Sequence, residues 1–461
     1  MFPRRLAIYR ARERTYLSSM KMHLRSRRQF LASTGLIMTT PLWADKRPPV
    51  TNPKATSGDE EAKPNWEKQL SISVGPKKAD LVGSNEKAIQ AGVDYMARMG
   101  GGTVRVMPGE YRLRSAVHLR DNVRILGSGK DSVLTKEESI NVKLADDSDW
   151  YDQEITLENA HGFKVGDGIC LRAKNPHDGS NTVIKRTLVA RSGNRFKLNT
   201  GLRKNLWLKG NPTCATLFPI LNCENVKHVA IENITLDGNR ANNENLNGNY
   251  AGCIFAQDCS WLTFRGVEAR NYNGDGMSWQ ICHDVLVENC HSHGHNGLGL
   301  HPGSGSQRPV MRGNKLERNK IGIFFCWGVR HGLAENNINL ENDIGISIGH
   351  RDTDNYILNN EVLRSKKGGI VFRPDTRGKD FGPHRNRVEK NRIIDSGNAT
   401  GIGVDVRGNI RDIILKANEI RETRGAQQRV GVHVGKQTRG VKLEGNKIEG
   451  FKSPVVREAR D

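Results

Sequence analysis

The sequence predicts an all-β chain wound as a single-stranded parallel β-helix, a β-solenoid, with an N-terminal capping helix and a small inserted β-subdomain. Two interleaved periodicities and a composition carry that expectation. A phrase of Gly, apolar, any, apolar recurs from residue 222 onward at Gly252, Gly276, Gly297, Gly322, Gly345, Gly369, Gly401 and Gly431, at intervals of 24, 21, 25, 23, 24, 32 and 30. An Asn phrase keeps step with it at Asn233, Asn289, Asn314, Asn337, Asn360, Asn391, Asn418 and Asn446. Short period-2 strands separated by turns at this spacing describe coils that cannot bury an apolar face singly but close a continuous interior when stacked about 4.8 Å apart. The Leu ladder of leucine-rich repeats, which share the period, is missing. The third observation is a polar chain of 461 residues, 36% hydrophobic and 6% aromatic, with 49 Gly and no run of about 18 apolar residues. No spanning helix is expected from it.

Along the chain, Ser26-Arg27-Arg28-Gln29-Phe30-Leu31-Ala32 followed by the weakly apolar Ser33 to Trp43 resembles a twin-arginine export signal over residues 1–44. That resemblance implies a periplasmic or secreted protein. Residues 45–76, rich in Pro, Lys and Glu, read as a disordered linker, and 77–461 as the β-helix domain. Ser84 is the expected N-cap of a helix whose apolar stripe is Ile89, Val93, Met96 and Ala97, ending at Gly100-Gly101-Gly102. Such a helix closes the open end of a solenoid. Residues 136–216 break the coil rhythm and read as the inserted subdomain. The Asn positions are expected to stack in successive coils, bonding amide to amide while holding left-handed corners. The eight cysteines read mostly as buried thiols.

Ala88-Ile89-Gln90, the triple Gly, the turn Pro108-Gly109-Glu110-Tyr111 and Leu126-Gly127-Ser128-Gly129 resemble the opening of the pectin-lyase-like superfamily. The resemblance spans residues 80–455. It implies a right-handed coil, and it includes pectate lyases, polygalacturonases and uronan epimerases among the activities to be expected.

The net charge is +21; without residues 1–44, 62 Lys and Arg against 49 Asp and Glu leave +13. A basic body outside the cytoplasm favours an acidic polysaccharide as partner; nucleic-acid motifs are absent and aromatics scarce. With residues one and three after each repeat Gly facing inward, an outward row four after Gly reads Ala256, Gln280, His301, Cys326, Gly349, Arg373, Asp405 and Gly435, flanked by Trp327, His350, Arg351, Lys366, Lys367, Asp375 and Arg377. Such a groove suits a uronate chain, with Trp327 stacking on a sugar and Gln280, Arg351, Lys367 and Asp405 binding substrate.

β-Elimination needs a base for the C5 proton, an acid for the leaving oxygen and a neutraliser for the carboxylate. His301 is the expected base, His350 its nearer partner, and Arg351 or Arg373 the neutraliser, though three coils or about 14 Å separate His301 from Arg373. Asp275-Gly276-Met277 resembles part of the polygalacturonase motif, which implies an acid role for Asp275. The next coils depart from that motif with His295-Asn296 and Lys320-Ile321, so hydrolysis ranks second, with Asp237 or Glu244 to supply the missing carboxylate. Epimerisation and non-catalytic glycan binding complete the range of functions this pattern of residues allows. No metal or cofactor is expected: Cys282-His283 with Cys290-His291 matches no zinc spacing, and His291, His293 and His295 read as surface histidines.

Overall fold

The computed structural model describes residues 64–459 other than Thr376 and Lys379. The expected export signal, and most of the expected linker, lie outside the described residues. Regular structure begins inside that linker, with a 3-10 turn at Trp66–Lys68 and a strand at Ser71–Gly75 that pairs in parallel with Gly102–Val106.

Helix α1 spans Glu86–Arg98 and buries Ile89, Gly92, Val93 and Met96. Its N-cap is Asn85 rather than Ser84. Asn85 has the extended backbone of a cap, and its side-chain oxygen accepts from the N–H groups of Lys87 and Ala88 at 3.1 and 3.4 Å. Gly100, at φ 91°, turns the chain out of the helix.

From Gly252 onward each coil gives one strand to an 11-stranded sheet and two short strands to a 22-stranded sheet. One coil, for example, comprises Asp275–Gln280, His283–Glu288 and His291–His293. Neighbouring coils pair in parallel throughout both sheets, as in Met277 with Leu300, Ile346 with Ile370 and Val404 with Val432. Those residues are fully buried and form the spine of one continuous core. The architecture is thus the expected parallel β-helix.

The register corrects the expected alignment of coils. Pairing of Ile254 with Met277, Met277 with Leu300, and Ile370 with Val404 sets Cys253, Gly276, Gly299, Gly369 and Gly403 in one column. Gly252 is therefore one residue out of step, and Gly297 and Gly401 two. The column exists because a side chain does not fit. A Cβ on Gly369 or Gly403 would come within 2.7 Å of Ile393 or Ile420 across the interior, and one on Gly276 would overlap Ser292. Local spelling favours Gly297, but packing selects Gly299.

The expected outward row consequently mixes two columns and includes one inward residue, since Ala256 belongs to the core. The outward residues two after the column are Phe255, Ser278, His301, Phe324, Ser347, Val371, Asp405 and His433; Gln280, Cys326, Gly349 and Arg373 lie two residues further along.

The Asn ladder runs from Asn314 to Asn446. Side-chain amides of Asn314, Asn337, Asn360, Asn391 and Asn418 each donate to the next Asn at 2.8 to 3.0 Å. Asn233 and Asn289 stand outside it. They are exposed corner residues at φ 51° and 53°, and Cys290 occupies the ladder position in its coil. Stacking and turning the corner, expected of one residue, are tasks shared by two adjacent ones.

The stretch that breaks the coil rhythm holds a six-stranded antiparallel sheet from Asn141–Lys143 to Thr213–Ala215 around its own core, which includes Phe163, Leu171, Leu188 and Phe196. All eight cysteines are free thiols, seven of them buried. No helix among the described residues is long and apolar enough to cross a membrane.

Candidate functional site

A cleft of about 840 Å³ opens on the outer face of the 11-stranded sheet, over the coils that begin at Gly276, Gly299 and Gly322. Its floor holds Asp275 and His301, both nearly buried, with Asp275 Oδ2 2.8 Å from His301 Nδ1. The other carboxylate oxygen, Oδ1, accepts the Leu298 N–H at 3.0 Å. An ionised Asp275 requires the proton on Nδ1, which leaves the imidazole lone pair on Nε2.

The parallel register makes this pairing possible. Ser278 and His301 are directly opposite each other in neighbouring strands, and Asp275 precedes Ser278 on the same strand. Ser278 Oγ lies 3.3 Å from His301 Nδ1, donates to the Gly248 carbonyl at 2.6 Å and accepts from Gln280 Nε2 at 3.0 Å. Gly248 belongs to the segment Asn245–Asn249, which roofs the cleft. A Cβ at Gly248 would overlap the Asp275 carboxylate, so the backbone there rests directly on the site.

Cations line the cleft's rim. Lys320, Arg318 and Lys366 face it, and Lys366 and Lys367 approach Asp343 at 3.8 and 2.9 Å. Asp343 is the cleft's other carboxylate. The two acids considered for a hydrolase lie elsewhere: Asp237 is bonded to Arg270 at 2.7 Å, and Glu244 to Asn141 at 2.8 Å.

Arg373 and His301 meet through an intermediary. The Arg373 guanidinium lies 4.1 Å from the Phe324 ring centre and donates to the Phe325 carbonyl and Ser347 Oγ; His301 touches the same Phe324 ring edge-on at 5.3 Å. Beneath it Asp352 is fully buried, which pushes its carboxyl up to about 6 even with Arg373 3.7 Å away. Arg373 thus holds Phe324 and balances Asp352, reaching back two coils.

His350 does not partner His301. It lies 2.5 Å from Asp375 Oδ2, within a second cluster in which its ring meets Trp327 and Phe381, both at 4.8 Å. Arg377 covers the half-exposed Trp327 at 4.5 Å, and Arg351 covers Phe381 at 3.8 Å. Arg377 first, then His350, holds the Asp375 carboxyl well below the usual range. Gln280 is buried and acts on Ser278, while Lys367 sits on Asp343. Asp405 is buried between His433, at 2.9 Å, and Arg407, at 2.6 Å, so both its oxygens are engaged within the protein.

His295 is interior rather than surface. Its Nδ1 accepts the Tyr272 N–H at 3.0 Å, and its Nε2 lies 3.1 Å from the Ala269 carbonyl. Burial drives its pKa down to about 3. It is a neutral strut under the cleft.

Sequence reasoning missed Ser278, Gly248, Phe324 and the rim position of Lys320. For Phe324 and Ser278 the signal is present, two residues after a correctly placed column. For Gly248 there is none, since only the fold-back of the loop brings it to Asp275.

The family model described as "Right handed beta helix region" matches residues 220–377. Among solved structures, the A-module of mannuronan C-5 epimerase AlgE4 from Azotobacter vinelandii is similar at 14% identity and a TM-score of 0.50, covering 84% of this chain and 100% of that one. PfbA, a surface adhesin of Streptococcus pneumoniae, is similar at 12% identity and a TM-score of 0.44, covering 83% and 93%. The tailspike gp49 of Pseudomonas phage LKA1 is similar at 12% identity and a TM-score of 0.39, covering 81% and 74%. No curated protein matches the chain in sequence. At these identities the likeness is one of fold.

Proposed function

We propose that the chain, a right-handed parallel β-helix that resembles the pectin-lyase-like superfamily, is an exported polysaccharide lyase that cleaves a uronate-containing glycan by β-elimination in the cleft over Asp275 and His301. The observation that carries the reading is the buried 2.8 Å contact of Asp275 Oδ2 with His301 Nδ1; a neutral imidazole donating to that carboxylate carries its lone pair on Nε2. In this scheme His301 Nε2 takes the C5 proton, and Asp275 orients the ring and stabilises the imidazolium. Lys320 on the rim pairs the C6 carboxylate, which acidifies C5. The C4–O bond breaks as C4=C5 forms, and the imidazolium returns its proton to the leaving oxygen.

The basic rim and the charge of +13 that remains without residues 1–44 favour a polyanionic substrate. The half-exposed Trp327 and the Arg377 guanidinium over its ring offer an aromatic surface and a cation for a further sugar unit. Hydrolysis is the weaker reading, because Asp275 is bonded to His301 and Leu298, and Asp343 to Lys367. Epimerisation, the activity in the name of the AlgE4 module, would use the same base and neutraliser.

The test is incubation with a panel of uronate polymers, following absorbance of unsaturated ends, reducing sugar and the C5 configuration by proton NMR. Unsaturated ends and reducing sugar rising together support the lyase. Reducing sugar alone supports a hydrolase, and a changed C5 configuration without cleavage an epimerase. His301→Ala is expected to lower kcat by about 10²- to 10⁴-fold. A full rate in that variant, folded, removes the assignment.

A further inference from the structure

We propose that Glu268, His291, His293 and Glu317 form a site for one divalent transition-metal ion of the zinc class on the outer face of the 22-stranded sheet. The site is separate from the cleft, and the inference is independent of the reading of that cleft.

The four residues come from three successive parallel strands, Glu268–Arg270, His291–His293 and Lys315–Glu317. Register places Glu268 opposite His291, and His293 opposite Glu317. The residues between them, Ala269, Ser292 and Leu316, are buried, so the alternate positions face outward together. Strands about 4.8 Å apart bring side chains at such positions to a common point.

The donor atoms converge. His293 Nε2 is 3.1 Å from Glu268 Oε1, and His291 Nε2 is 3.7 Å from Glu317 Oε1. One donor atom each of Glu268, His291 and His293 falls within 4.8 Å of the others. The two imidazoles stack with centres 4.1 Å apart and planes 25° from parallel, which aligns the rings and is unfavourable for two protonated histidines.

An unpartnered atom supplies a second observation. His291 Nε2 is secluded from solvent and has no hydrogen-bond partner, an uncommon state for a buried ring nitrogen. Arg270, Lys315 and Arg318 hold the two carboxylates, at 3.4 Å for Arg270, and an incoming ion must compete with them for the oxygens. Two imidazole nitrogens and two carboxylate oxygens make a ligand set of the kind zinc accepts, whereas calcium prefers oxygen alone.

The test uses the full chain with zinc as the probe, in a competition titration against a chromophoric chelator at pH 7.5. Binding of one ion per chain at micromolar affinity or tighter is expected, with a rise in Tm on adding zinc. His293→Ala and His293→Gln should each weaken binding at least tenfold, and the exposed His177→Ala should leave it unchanged. Cobalt(II) should give visible bands that His293→Ala abolishes. The zinc-free Tm of each variant reports whether it folds, and the Gln variant keeps much of the packing. Affinity weaker than about 100 µM in the wild-type chain, or unchanged affinity in a folded His293→Gln variant, overturns the site.

Discussion

Single atoms decide the geometry of this cleft, and two of its residues yield measurable consequences. Gly248 lies against the Asp275 carboxylate with no room for a Cβ. Gly248→Ala is expected to lift the Asn245–Asn249 segment and to lower turnover by about tenfold or more, while changing the urea midpoint little; steady-state kinetics beside a melt checks both. His295 is buried and neutral, with a pKa of about 3 against an ordinary 6.5. Because its folded value is the lower, the unfolded chain takes up the proton first as pH falls. The stability present above about pH 6.5 is therefore lost progressively between 6.5 and 3. At about 1.4 kcal/mol per pH unit the ceiling is about 5 kcal/mol, and a fall of about 1–3 kcal/mol between pH 7 and 5 is expected. A His295→Asn variant should be weaker at pH 7 and show a flatter pH dependence by chemical denaturation. Neither residue's role could be read from the sequence alone. The alternating His291, His293 and His295 spell one pattern, yet the third is turned inward to Tyr272 and Ala269, and the sequence carries no signal for that.

At the level of the repeating strands, much of the architecture was legible because sterics impose it at every turn. The Gly column marks where the coil is pinched against the opposite wall, and the apolar residues one and three beyond it fill the core. What misled was degeneracy: Gly297 and Gly299 lie two residues apart, the spelling of the phrase favours the first, and only the pairing of Met277 with Leu300 selects the second. That two-residue slip joined His301 to Arg373 in a single expected row and obscured Phe324, the residue that connects them. The Asn positions show a similar division. Asn360 is buried, accepts from the backbone and side-chain amides of Asn337 at 3.0 and 2.9 Å, and donates to Ala334 and Asn391. Its exposed neighbour Asn359, at φ 53°, holds a corner. Asn360→Ala is expected to cost about 2–4 kcal/mol by leaving buried donors unmade, and Asn359→Ala about 1 kcal/mol. Equal losses in urea titrations would mean the buried ladder contributes no more than the bends.

Taken whole, the described residues form a stack of near-identical layers with one interruption. Most neighbours in the stack are about two dozen residues apart, Met277 and Leu300 being 23 apart, but Arg124 pairs with Ala230, 106 residues later, because the antiparallel insert lies between them. The longer closure adds only about 1.4 kcal/mol of chain entropy, so the finished protein tolerates it. Its consequence is temporal. During synthesis the strand Val123–Lys136 waits for Lys227–Asp237 to be made, and until then its ladder of amides and carbonyls has no partner on that side. Fragments that stop at residue 216 should therefore self-associate, scattering light at micromolar concentration, while fragments extended through residue 280 stay monodisperse. The chain is thus most vulnerable to its own copies while half of it is still on the ribosome, in a window whose length is set by the insert.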